Sequence, residues 1–408
     1  MKDRTILYEL ASKIAEIAAL PVQQERIKLW KNNNDLQKGS RPPVFIDQLP
    51  WHEIDRTEEM QLVCEDAFLR TIEHGMRAIL YRWKHFQCDM VVRPFFELPK
   101  SIEGLNYGMK ILEETRAVDV ENDIVSHAYF DQLSTSAEVQ ALQADVIESD
   151  IKADEYRKNL LEEIFGQVLP VRLSGVQIHS GLWDRIAQMR SVTNILWDLV
   201  EKPELIEETV KKFVWLTMST IDQCEELDLL DPMHTYIHCT GAFTKDLPIE
   251  TGLDRKANAS DCWSFGMAQM FSTVSPAMHE EFEIDLVRPL YERFGLIYYG
   301  CCEPLHDRIH IVRKIKNVRK ISISPWANNT IAAEQIGHDY VFSSKINPAY
   351  IATGFDRESI EAQVKDVLAA TERTGTPVEL ILKDVSTVEN DIRRIDQWNN
   401  LVMAIIGA

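Results

Sequence analysis

The run Leu296-Ile-Tyr-Tyr-Gly-Cys301-Cys302-Glu303-Pro304-Leu305-His306 places two adjacent thiols, a carboxylate and an imidazole directly after an apolar, β-like stretch. Thiolate, imidazole and carboxylate are the ligand types of a zinc site, which makes Cys301, Cys302, Glu303 and His306 candidate metal ligands. The plainer reading is a buried thiol pair in a tight turn, with Glu303 solvated and His306 opening a helix. Neighbours along a strand face opposite ways, so Cys301 and Cys302 cannot both point inward while the strand continues. Either Cys301 shares a face with Glu303, or Cys302 stands alone beside Gly300, whose missing side chain leaves room for a ligand. His238 is a further candidate ligand, spaced to share one face of its stretch with His234.

These groups need elements to position them. Eight short β-rich runs follow one another at 89–96, 124–130, 171–178, 234–239, 295–301, 320–324, 339–344 and 378–384. Helical patterns at 183–216, 276–294, 329–336 and 357–373 fall between them, and such alternation demands a parallel sheet. Eight units favour a single (β/α)8 barrel, with a doubly wound open sheet as the structural rival. Residues 1–87 read as a helical N-terminal extension, interrupted around 32–43 and by the apolar Val44-Phe45-Ile46, and residues 88–408 as the barrel. The polar stretch 243–262 is too long for an ordinary connection and is a candidate lid.

Barrel active sites are built at the C-terminal ends of strands. Those ends carry Arg93 and Phe96, Gln177 and His179, His238 and Cys239, Cys301 to Glu303, Trp326, Lys345 and Asp384. Polar residues gather at strand ends in any barrel because loops are wet, so each taken singly has an ordinary explanation. Arg93, Phe96, His179, Tyr298 and Trp326 are the candidate substrate-binding residues, and Glu303 and Asp384 the candidate catalytic carboxylates. Aromatics such as Phe95, Phe96, Tyr298 and Trp326 could line a small-substrate pocket, yet aromatics in barrels are more often core.

Composition narrows the partners. The 408 residues carry a net charge of −20, which repels phosphate backbones and anionic lipid and argues against nucleic acid or a membrane as partner. Seven cysteines form an odd set without a regular framework, and the amphipathic N-terminus lacks a signal peptide's apolar core. A reduced, cytoplasmic protein is the expectation, with no apolar run near the ~18 residues of a membrane span. Self-association as a homodimer is a further expectation.

The chain resembles the uroporphyrinogen decarboxylase superfamily, and within it the decarboxylase-like proteins associated with corrinoid-dependent methyl transfer. The resemblance rests on Trp263-Ser-Phe-Gly-Met-Ala-Gln-Met-Phe-Ser-Thr-Val-Ser-Pro276-Ala-Met-His-Glu-Glu-Phe282, on Tyr298 to His306, and on Lys320-Ile-Ser-Ile-Ser-Pro-Trp326, with weaker support at 44–53 and 81–85. It implies a (β/α)8 barrel. The Met-Arg-Gln-Ala-Gly-Arg run of true uroporphyrinogen decarboxylases is absent, as is its partner aspartate motif, which makes a metal-free decarboxylase the weaker reading. That rival would use Arg93 as carboxylate anchor and Asp384 or Asp47 as proton donor. The superfamily's zinc methyltransferases use a His-x-Cys motif and a later cysteine. Here the comparable position reads Gly300-Cys301-Cys302, so the resemblance carries the cysteine to Cys302 and leaves the histidine missing. Glu303, His306, His238 or Cys239 would complete the set, and the last strand ends in Lys383-Asp384 where the later cysteine would stand. The implied activity moves a methyl group between a small methylated substrate or thiol acceptor and a cobalamin carried by a separate corrinoid protein, with zinc activating the leaving or accepting atom.

Overall fold

The computed structural model describes residues 2–106, 110–117 and 125–407. Six strands, β1 (Val44–Ile46), β2 (Trp263–Gly266), β3 (Leu296–Tyr299), β4 (Val318–Ile323), β5 (Val341–Ile346) and β6 (Val378–Leu382), form one parallel sheet in the order β1-β6-β5-β4-β3-β2. The sheet curls into a half-barrel. Its strands are buried along nearly their whole length, Arg319 alone being half-buried, as a parallel sheet covered on both faces requires. Alternation divides their residues cleanly. Val44, Ile46, Ile297, Tyr299, Ile321 and Leu380 pack outward against the helices, while Phe45, Phe265, Tyr298 and Ile381 pack into a second cluster on the concave side.

The concave side also holds polar groups. Lys320 and Glu379 form an ion pair of 2.7 Å with both side chains wholly buried. The hairpin formed by Tyr236–Ile237 and Thr240–Gly241 enters the same space. Tyr236 stacks on Phe45 at 4.9 Å, and Lys320 Nζ donates to Thr240 Oγ1 at 3.1 Å and Gly241 O at 2.8 Å. Only glycine fits at 241, since a Cβ there would lie 2.4 Å from the Trp30 ring.

The expected (β/α)8 barrel is therefore realised in part. Among the described residues the strands stop short of a closed ring. The run 234–239 has strand composition but turns back after two residues. The run 89–96 forms its strand only from Phe96 on, because Pro94 offers no N–H and constrains Arg93 before it; Phe96–Pro99 pairs with Val171–Ser174 in a separate two-stranded sheet. In the run 124–130, residue 124 lies outside the described residues, and Ser126–Tyr129 pairs antiparallel with Glu113–Arg116 in a largely exposed hairpin.

The N-terminal residues are more than an extension. Helices α1 (Lys2–Ala18), α2 (Val22–Asn34) and α3 (Ala67–His85) bring Leu7, Ile14, Trp30 and Met76 into the concave cluster, and β1 extends the sheet through Phe45 opposite Ile381. Asp66 starts α3, its side chain accepting from Leu69 N. The stretch 243–262 packs at the N-terminal ends of the strands: Thr244 bonds Asp35 at the end of α2, and Asp246 pairs with Arg319 at the start of β4. It lies at the opposite end of the sheet from Cys301 and does not cover the thiols. No helix among the described residues is long and apolar enough to cross a membrane.

Candidate active site

The ends of β3 and β6 and the tip of the hairpin converge on one cluster. After β3, Gly300 adopts a φ of +95° and turns Cys301 into the concave side; a Cβ at this position would come within 2.4 Å of Leu305 Cδ1. His238 lies at the hairpin turn with φ +54°, its ring flat on Phe265 at 3.9 Å and its Nε2 3.6 Å from Cys301 Sγ. Beyond β6, Lys383 Nζ lies 3.1 Å from Cys301 Sγ, 3.1 Å from His238 Nε2 and 3.1 Å from Asp384 Oδ2. Asp384 also has a positive φ, +58°. Left-handed backbone at two non-glycine residues costs roughly 1–2 kcal/mol each, strain of the kind that packing tolerates at functional sites.

The two cysteines divide between inside and outside. Cys301 is buried, whereas Cys302 is exposed, with its sulfur 3.6 Å from Cys301 Sγ and 3.9 Å from Asp384 Oδ2. The inward residue is thus Cys301, the opposite of the carry-over to Cys302, because Gly300 breaks the strand one residue before the pair. Both thiols line a cleft of about 370 Å³ with Trp326, Lys345, Lys383 and Asp384. Trp326 is 68% exposed at its lip. Beneath it, Lys345 donates to Cys239 Sγ at 2.9 Å and to Ser343 Oγ at 3.2 Å, 4.9 Å above the Tyr298 ring.

The electrostatics follow from these contacts. The hydrogen bond between the two thiols holds Cys302 below the ordinary thiol range, with Lys383 adding to the effect, and the same bond together with burial pushes Cys301 up. Burial opposes the charge on Lys383, yet its sulfur and Asp384 neighbours shift it upward. Burial lowers His238, although its bond with Cys301 works the other way. The cleft therefore presents an easily ionised thiol beside a fixed cation.

Other expected residues fall elsewhere. Glu303 is wholly buried and spends its oxygens on the backbone N–H groups of Cys301 at 2.8 Å and Ala268 at 3.1 Å, so it shapes the turn and is not free to ligate or attack. His306 sits in a one-turn 3-10 helix whose carbonyl accepts from Gln335, away from the thiols, and its Nδ1 is buried without a partner. His179 packs edge-on against Phe265 at 5.6 Å and is held neutral, pushed down to about 4 by burial. Tyr298 lies under the cleft, its hydroxyl 3.1 Å from Ser343 Oγ. Arg93 and Phe96 line a different cleft. The sequence reading assigned no role to Lys383, Phe265 or Asp184. Asp184 carries a carboxyl raised by burial and bonded by Gln269 at 2.8 Å. Lys383 alone had a visible signal, its place at the close of the last apolar run.

Zinc can be tested against this donor set. Zinc bonds of about 2.3 Å to sulfur and 2.0–2.1 Å to nitrogen give tetrahedral edges of roughly 3.5–3.8 Å. The pairs Cys301–His238 and Cys301–Cys302, both 3.6 Å, have that length. However, Cys301 and His238 converge on the Lys383 ammonium, and Cys302 turns toward Asp384. Among the described residues no three His, Cys, Asp or Glu are arranged to hold a metal ion. As arranged, the residues suit an ammonium and not a metal.

Fold and cluster together define an α/β protein with a curled parallel sheet and a thiol-bearing cleft at its strand ends. A solved structure, a methyltransferase from Methanosarcina mazei, is similar to it with a TM-score of 0.52 and 10% sequence identity, covering 93% of this chain and 98% of that one. At this identity the likeness is one of fold. No family model matches the sequence, and no curated protein matches it.

Proposed function

We propose that the protein is a methyltransferase that moves a methyl group between a small molecule in the Cys302 cleft and a cobalamin carried by a separate corrinoid protein. The observation that supports this reading is one cleft in which an exposed, easily ionised thiol, a fixed ammonium and a carboxylate face the same space, in a fold shared with a methyltransferase. When a methyl group passes from oxygen or nitrogen to cobalt(I), the heteroatom keeps the bonding pair and must be protonated or stabilised by positive charge. Lys383 stands where it would stabilise that charge, an ammonium shifted upward despite its burial. Asp384, paired with Lys383, orients the ammonium toward the cleft. Trp326 offers a flat apolar face to the substrate or to the corrinoid partner.

Zinc would activate the same leaving atom as a Lewis acid. His238, Cys301 and Cys302 would hold it only with Lys383 withdrawn from the two donors it now touches, so metal content measured on protein purified without chelator decides whether the site works with the ammonium or with zinc. The function itself is tested by mixing the protein with methoxylated aromatics, methylamines or methylated thiols and a corrinoid protein reduced to cobalt(I). The cobalt(I) absorption should disappear with one of these donors. Unchanged spectra across the panel would count against methyl transfer, and coproporphyrin formation from uroporphyrinogen would establish the decarboxylase.

A further inference from the structure

A second cleft, of about 340 Å³, lies between α3 and the hairpin and shares no lining residue with the thiol cleft. Its walls are aromatic and aliphatic, with Trp51, Val91, Phe95 and Tyr236 among them, and two guanidiniums line it, Arg82 and Arg93. Arg93 stacks 4.8 Å from the Phe95 ring and 5.8 Å from that of Phe243. Its one hydrogen bond among the described residues is a 3.4 Å contact to Ile249 O, and it forms no ion pair there. Arg82 donates to Ile46 O at 2.6 Å and has Asp47 at 3.7 Å, but its Nε is buried without a partner. The carboxylate lining the cleft, Glu97, is committed to Arg172 at 2.7 Å.

Burial lowers Arg93, and the carboxylates of Glu97, Glu250 and Asp231 act on it only from beyond ion-pair distance, so a desolvation cost remains that an entering anion offsets. The planar fork of a guanidinium matches a carboxylate in particular. The aromatic walls select a ring over a polar body, and the size suits a small ligand. One unpaired guanidinium matches one negative charge; a phosphate ester would bring close to two. We propose that this cleft binds a small aromatic monocarboxylate, with its carboxylate on Arg93 and its ring among Trp51, Phe95 and Tyr236. The site is separate from the one proposed for methyl transfer and stands or falls without it.

Two probes of nearly the same shape and different charge test this, 4-fluorophenylacetate and 4-fluorophenylacetamide, titrated into the full chain and followed by fluorine NMR line broadening. The acid should bind at least tenfold tighter than the amide. Arg93→Met should bring the acid down to the level of the amide, Arg93→Lys should keep part of the preference, and Cys302→Ser should leave it intact. Equal affinity for acid and amide, or no binding of either, overturns the proposal. So does an acid preference that survives Arg93→Met, or one that disappears in Cys302→Ser, which would place the acid in the thiol cleft. The comparison of acid with amide needs only the unaltered protein, so a variant that fails to fold does not remove the test.

Discussion

Strand β3 carries a buried polar cluster on each of its faces, and the two are built differently. On the outer side Glu283 accepts from Trp183 Nε1 at 2.7 Å, from the Tyr291 hydroxyl and from the Tyr299 hydroxyl at 3.5 Å. Tyr299 in turn meets His279 Nε2 at 2.7 Å, and Arg308 lies 3.2 Å from the other ring nitrogen while donating to Phe271 O and Val274 O. The π-helical turn Glu280–Ile284 aims Glu283 at these donors. On the inner side the Cys301 cluster relies on sulfur partners, left-handed backbone at His238 and Asp384, and an open cleft. A closed network of oxygen and nitrogen partners fixes a scaffold. A looser set of polarisable partners beside solvent keeps its groups free to react.

That contrast predicts different consequences for the two faces. Glu283→Ala leaves three buried donors without an acceptor and should destabilise the fold by about 3–5 kcal/mol, while methyl transfer per folded molecule stays the same. Urea denaturation reads the loss, and a change below about 1 kcal/mol would break the comparison. Lys383→Met should do the reverse, cutting methyl transfer about a hundredfold, or roughly 2.7 kcal/mol, with little movement of the unfolding midpoint. If that variant unfolds more easily than Glu283→Ala, the roles of the two faces are exchanged.

The outer cluster should also write itself into the pH dependence of stability. Burial pushes the Glu283 carboxyl from 4.5 up to about 8, so the folded chain keeps a proton that the unfolded chain has lost. Its contribution is fully present below pH 4.5 and is lost as pH rises to about 8. The stability of the parent relative to Glu283→Gln should therefore fall with rising pH in that window by at most about 1.4 kcal/mol per unit. His279 runs the other way. Burial, aided by Arg308, holds it down to about 3 against 6.5 unfolded, so stability is lost as pH falls below 6.5, a slope that His279→Gln should remove. The smallest effect belongs to Trp326→Ala, which should weaken substrate or corrinoid binding by about 1 kcal/mol and leave the melting temperature alone.

The sequence made β3 to β6 legible because each is a short run rich in β-branched and aromatic residues, between helical patterns and turns. It hid β1, whose three residues between Pro43 and Asp47 are too few to show a period, and β2, which follows a long polar stretch. The hairpin at 236–241 was hidden in another way: its composition is that of a strand, and only packing against Phe45 and Phe265 decides that it folds back. Within the site, the thiol pair stood out because the two residues are adjacent. Lys383 reaches Cys301 across 82 positions and His238 across 145, separations at which no local pattern signals a contact. Glu303 was misjudged because its partners are backbone amides, which every residue but proline supplies and which leave no mark in a sequence.

The hairpin inside the half-barrel gives the imidazole a mounting of its own. Cys301 and Lys383 follow the ends of β3 and β6 in one sheet, whose register moves only if a whole strand slips. His238 is carried by a short loop of chain whose reach depends on how many residues lie between Tyr236 and Gly241. One residue added or removed there would swing the ring off Phe265 and away from the thiol while every rung of the sheet stayed in place. Relatives of this chain could thus acquire or discard the imidazole by changing a single loop length, and the chemistry of the cleft could diverge on an unchanged frame.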